Sequence, residues 1–178
     1  MSSTCPALPA VRNEEEIVPL FPPGIVAGPT IALVELIDVD PSEPRLIADV
    51  LPVLLELRPH LTPESFAAIY AEGYPQGLRF TAAYDGGRCV GVAGWRVIAT
   101  TFAVRKLHVD DLITTEAARS KGVGKALLTD LARRAAEAGC TAIDLDSGVH
   151  RFDAHRFYHR EGLTISAHHF LRPLDQAK

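Results

Sequence analysis

The chain has 178 residues, 47% of them hydrophobic, and a net charge of -4, which suits one domain with a sizeable apolar core. The acidic balance and the lack of a lysine- or arginine-rich patch speak against a nucleic-acid binder, whose affinity rests on neutralising phosphates. Cys5, Cys89 and Cys140 are odd in number and far apart, giving neither a disulfide framework nor a zinc spacing, and no apolar run reaches the length of a membrane span.

Residues 1–28 contain Pro6, Pro9, Pro19, Pro22 and Pro23 without a period and read as a flexible tail, leaving residues 29–178 as a single domain. Glu14-Glu15-Glu16 interrupts this stretch where a signal peptide needs continuous apolar residues, so the expected setting is soluble and cytoplasmic, with reduced thiols. The run from Thr30 to Val39 is apolar on both faces, as in a strand covered on both sides. Ser42 offers an N-cap to a helix carrying Leu46, Val50, Leu54 and Leu57, which Pro52 should kink. Thr62-Pro63 starts a second helix that Gly73 ends.

Leu78–Tyr84 and Cys89–Trp95 flank Asp85-Gly86-Gly87-Arg88, a hairpin signal, and Arg96–Val104 and Leu107–Thr114 supply two further strands. A helix with Val123, Leu127, Leu128 and Leu131 on its buried stripe follows and stops at Gly139. Thr141–Leu145 is the next strand, residues 151–161 a late helix, and Thr164–Leu174 a final strand pair.

The segment joining the strand that ends at Thr114 to the following helix carries the chemistry. In Arg119-Ser120-Lys121-Gly122-Val123-Gly124-Lys125 the two glycines let backbone N–H groups approach an oxyanion, the helix start adds partial positive charge, and Arg119 and Lys121 supply cations. A nucleotide P-loop needs other spacing, and a dinucleotide fingerprint needs glycine where Leu127 stands. Arg-x-x-Gly-x-Gly after a strand resembles instead the acyl-CoA pyrophosphate loop of the GCN5-related N-acetyltransferase (GNAT) family. Ala154 to Leu163, with Phe157-Tyr158 and Gly162, is similar to the late helix of that family, although Arg151 and Leu163 depart from its asparagine and its post-glycine aromatic.

The resemblance implies an α+β fold whose mixed, mostly antiparallel sheet is splayed open at the acetyl-CoA site and flanked by helices. It implies acetyl-CoA as co-substrate, held by the backbone of Leu112, Ile113 and Thr114 and by the Arg119–Lys125 loop, with no metal. Amide formation requires a protonated amine, of pKa about 10.4 if lysine-like, to lose a proton, and a thiolate leaving group to be stabilised. Tyr158 is the expected acid. For the base, a strand period of two puts His108 and Asp110 on one face and Asp111 on the other, and relatives place a water-linked carboxylate at the former positions.

The acceptor implied is a primary amine of a small molecule, attacked directly in a ternary complex. A protein lysine or N-terminus, or a non-catalytic acyl-CoA-binding module, is the alternative, and a homodimer stays open. His155 and His159, four apart, lack a third ligand for a metal site, and Asp146, Ser147 and His150 lack the nucleophile elbow of a hydrolase.

Overall fold

A computed structural model describes residues 34–174, and their frame is a five-stranded sheet. The strands β1 (Glu35–Val39), β2 (Arg79–Asp85), β3 (Arg88–Thr100), β4 (Val104–Thr114) and β5 (Ala142–Leu145) lie side by side in chain order. The first four form an antiparallel meander and β5 pairs parallel to β4, which makes the sheet mixed and mostly antiparallel as expected. The proline-rich stretch 1–28 and Cys5 lie outside the described residues; Cys89 and Cys140 are free thiols.

The hairpin between β2 and β3 forms at the Gly86-Gly87 pair, both at positive φ (55° and 80°), which is the chemistry a two-residue loop demands. The strands expected over Cys89–Trp95 and Arg96–Val104 are one: β3 runs unbroken to Thr100 and turns at Thr101–Ala103. No turn residue separates Trp95 from Arg96, and a register shift at Gly94/Trp95 absorbs the bend instead.

Between β1 and β2, Ser42 does not cap a helix. The opening bonds run from Leu46 N–H to Glu43 O and from Ala48 N–H to Pro44 O (both 3.0 Å), while the Glu43 carboxylate accepts from Asp40 N–H. The disturbance expected at Pro52 takes the form of a π-helical turn, Leu46–Val50, in which Leu51 N–H donates to Leu46 O, five residues back. A proline lacks the N–H that the next α-helical bond would use, so the wider turn comes before it and α1 (Leu51–Leu55) continues after it. In α2 (Pro63–Gly73) the Thr62 side chain accepts from Ser65 N–H (3.2 Å) and Ser65 Oγ accepts from Thr62 N–H (2.8 Å), a reciprocal cap with Pro63 at the first position.

The sheet is covered on both faces. On one, the π-helical turn, α1 and α2 bury Val50, Leu54, Phe66 and Tyr70 against Val39, Phe80 and Val92. There Phe80 meets Tyr70 and Phe66 edge to face, at 4.9 and 5.2 Å between centroids. On the other, α3 (Val123–Glu137) buries Val123, Leu127, Leu131 and Ala135 against Ala83, Ala93, Leu107 and Val109. Each fully buried leucine on that stripe contributes about 1.5–3 kcal/mol, so this contact fixes where α3 begins. Its first turn reaches β3 at Gly91, where a Cβ would stand 2.8 Å from Val123 Cγ1. After α4 (Phe152–Arg160), the expected final strand pair is absent from the described residues: 163–174 pair with no strand and leave Ile165, Phe170 and Leu171 exposed. Strand propensity alone does not hold a segment extended without a partner.

Candidate active site

The β4–β5 ladder runs from Lys106↔Ala142 to Val109↔Leu145 and stops there, because β5 ends. β4 continues to Thr114, so its edge facing away from β3 is unpaired from Asp110 onward among the described residues. This splay opens a cleft. Val109, Asp110, Asp111 and Leu112 form one wall, Leu145, Asp146, Ser147 and Gly148 the other, with Arg151 and Tyr158 of the α4 region and Leu57-Arg58 beyond α1 closing the ends.

The strand period breaks within this wall. Gly94 pairs with Asp111 and Trp95 with Val109, so Asp110 is the extra residue of a β-bulge. Leu107 and Val109 pack toward α3, whereas Ile113, beyond the bulge, packs toward α1 and α2. Asp110 and Asp111 therefore both lie on the α1/α2 side, which corrects the expectation that Asp111 faces away from Asp110.

Each carboxylate meets an arginine from a distant element. Arg96 holds Asp110 through both oxygens (Nε to Oδ2 2.8 Å, Nη2 to Oδ1 3.1 Å). Arg58 Nε donates to one oxygen of Asp111 (2.8 Å). Burial pushes the Asp111 carboxyl above the usual carboxylate range although Arg58 opposes it. His108 does not line the cleft: its Nδ1 lies 2.9 Å from Asp144 Oδ1, and Lys106 pairs with the same carboxylate. Neither Arg58 nor Arg96 was signalled by a motif, since both are joined to β4 only by tertiary pairing.

Tyr158 lines the cleft as expected, half-buried, with its ring 5.4 Å from that of Phe157. Burial raises its hydroxyl above the ordinary phenol range, and the charge of Arg151 pulls it part of the way back. His155 and His159 face backbone carbonyls instead of each other: Gly148 O at 3.0 Å and Leu163 O at 3.1 Å.

The glycine loop departs from helix geometry at Ser120 and Gly122, whereas Gly124 already lies in α3. Ser120 (φ 62°) and Gly122 (φ 87°) are left-handed, and Gly122 is the N-cap of α3. The first bond of the helix is Ala126 N–H to Gly122 O, so the N–H groups of Val123, Gly124 and Lys125 precede the ladder, as at any helix start. With Arg119 and Lys121 exposed beside them, these donors fit a pyrophosphate, and the unpaired β4 edge at Leu112 and Thr114 fits an amide-bearing arm laid along it. Ile113 instead sends its side chain into the core. Gly124 also has a packing requirement: a Cβ there would meet Phe157 Cζ at 3.3 Å and Thr114 Cγ2 at 3.7 Å. Glu56, at the end of α1, accepts from Glu116 N–H (3.1 Å) and lies 3.7 Å from Arg119.

Residues 44–163 match the model of the acetyltransferase (GNAT) family. The chain is 33% identical over 133 residues, 71% of its own length and 91% of the relative's, to YhdJ, an uncharacterized N-acetyltransferase of Bacillus subtilis (strain 168). Among solved structures it resembles a Trypanosoma brucei acetyltransferase (TM-score 0.62, 26% identity, covering 80% of this chain and 99% of that one). It also shares the fold of the aminoglycoside N-acetyltransferase AAC(6')-Iy, solved with CoA (TM-score 0.71, 14% identity, 83% and 99% covered).

Proposed function

Since the chain belongs to the GNAT family of acetyl-CoA-dependent N-acetyltransferases, we propose that it acetylates a primary amine of a small molecule by direct attack in the splay between β4 and β5. The observation that carries this reading is the shared cleft, where the unpaired β4 edge, the Asp111 carboxylate and Tyr158 meet.

Acetyl-CoA supplies a thioester, an acyl group activated toward nitrogen. The N–H groups opening α3, with Arg119 and Lys121, would hold its pyrophosphate, and the β4 edge at Leu112 to Thr114 would orient the arm. Asp111 is the better placed proton acceptor. Arg96 occupies both oxygens of Asp110 and His108 is turned to Asp144, whereas Asp111 is engaged by Arg58 through one oxygen and burial lifts its carboxyl above the usual carboxylate range. This reading moves the base from the His108/Asp110 pair to Asp111. Tyr158, from the far end of the cleft, would donate its proton as negative charge collects on the departing sulfur; burial keeps it protonated at neutral pH.

The test is acetyl transfer itself: purified full-length protein with acetyl-CoA and a panel of small amines and peptides, read by thiol release and by the mass of the N-acetyl product. Small-amine products support the proposal. Transfer to peptides alone would replace it with a protein acetyltransferase, and tight acetyl-CoA binding without any transfer would replace it with a sensing module.

A further inference from the structure

The charges lining the cleft are not evenly matched. On the β4 wall both carboxylates already have partners, Asp110 with Arg96 and Asp111 with Arg58. Asp146, on the opposite wall, points its carboxylate to His169 at 3.2 Å. Arg151, at the start of α4, lines the cleft with no carboxylate within ion-pair distance among the described residues. Four residues before it, Ser147 Oγ is shielded from solvent and has no hydrogen-bond partner there. One wall thus carries an exposed guanidinium fork without a carboxylate partner, free to take an anion, and beside it a hydroxyl without a hydrogen-bond partner. The other wall carries the carboxylate that receives a proton from the amine.

We infer that the acceptor is an amino acid, a compact amine bearing its own carboxylate, with Arg151 and Ser147 receiving that carboxylate while the amine is directed to Asp111. This rests on the small-amine function proposed above. A guanidinium presents parallel N–H donors that match a carboxylate's two oxygens, and the Ser147 hydroxyl can supply one more once its side chain turns toward the cleft.

The experiment compares pairs of acceptors that differ only in the carboxylate: α- and short ω-amino acids against the amines left by removing it. The wild-type enzyme should prefer the amino acid in kcat/KM, through KM. Arg151→Met should reduce that preference about tenfold or more, the effect of losing a charge-assisted hydrogen bond, and Arg151→Lys should restore part of it. Ser147→Ala should reduce it less. Arg151 sits on the surface, and circular dichroism melts would show that the variants fold. Equal or better turnover of the decarboxylated amines by wild type would overturn the inference while upholding a small-amine acceptor. No turnover of either series would remove both. An Arg151→Met enzyme that keeps the preference but binds acetyl-CoA more weakly by calorimetry would also overturn it, assigning Arg151 to the CoA arm.

Discussion

Replacing Gly124 by valine separates two jobs that a glycine in this loop can have. If the residue exists to let a phosphate approach, valine weakens acetyl-CoA binding and leaves stability alone. The structure argues for packing: a Cβ at this position is already only 3.3 Å from Phe157 Cζ, and the two γ-methyls of valine extend further toward the ring. Overpacking of this kind costs about 1–3 kcal/mol. Removing glycine from a helical turn returns a few tenths, so the clash wins and a net loss of about 1–2 kcal/mol remains. For a chain of this size, at roughly 2–4 °C per kcal/mol, Tm should fall by about 2–8 °C. Phe157 is next to Tyr158 in sequence and touches it in space, so the displaced ring carries the acid with it. A misplacement of about 1 Å can cost 10²-fold, so kcat should drop about ten- to a hundredfold. Thermal unfolding, steady-state kinetics and calorimetry on the same preparation supply the readouts, and Phe157→Leu supplies the control. In the double variant Tm should recover relative to the sum of the single losses, by a coupling of about 0.5–3 kcal/mol. Unchanged Tm with weakened acetyl-CoA binding, or strictly additive losses, would refute the packing argument and restore the phosphate one.

Tyr158→Phe should keep acetyl-CoA affinity and lower kcat by about 10² or more, as for a positioned acid; wild-type turnover would remove the acid role. Asp111→Asn should abolish the acidic limb of the kcat/KM profile and lower its maximum, whereas Asp110→Asn, which deletes only the partner of Arg96, should cost less. Because the Asp111 carboxyl is raised by burial, activity in wild type should be lost as pH falls through a value above the usual carboxylate range of about 3.9. Arg58→Gln removes the charge that opposes this rise, so the limb should move to higher pH; a limb that stays fixed would show that Asp111 is not the group titrating.

Local chemistry made the β2–β3 hairpin, the Thr62 cap and the glycine loop legible, while the cap expected at Ser42 did not form. Gly86-Gly87, Thr62-Pro63 and Arg119 to Lys125 each act through backbone preferences within a few residues, and the structure places each element accordingly. The base was harder to read because alternation fails at Asp110. A bulge depends on the register of β3 against β4, and nothing in Val109-Asp110-Asp111 announces it. Arg58 and Arg96 were invisible for a related reason: Arg58 reaches Asp111 across 53 positions, and Arg96 reaches Asp110 across 14, through a strand boundary drawn in the wrong place. The final strand pair failed differently. Its residues favour extended backbone, but no strand pairs with them among the described residues.

The parallel pairing of β5 also bears on how the molecule comes together. β1 to β4 are joined neighbour to neighbour, and both β2–β3 and β3–β4 close over turns of two or three residues. Val109 and Leu145, by contrast, pair only after all of α3 has crossed the sheet between them. Chain-closure entropy therefore favours early hairpins and a late fifth strand. Pulse-labelled hydrogen exchange during refolding should protect the amides of Ala82, Val92 and Ile113 before that of Ile143, and simultaneous protection would contradict this order. Catalytic competence then arrives only after the hairpins have closed, since the cleft does not exist until the two diverging strands are in place.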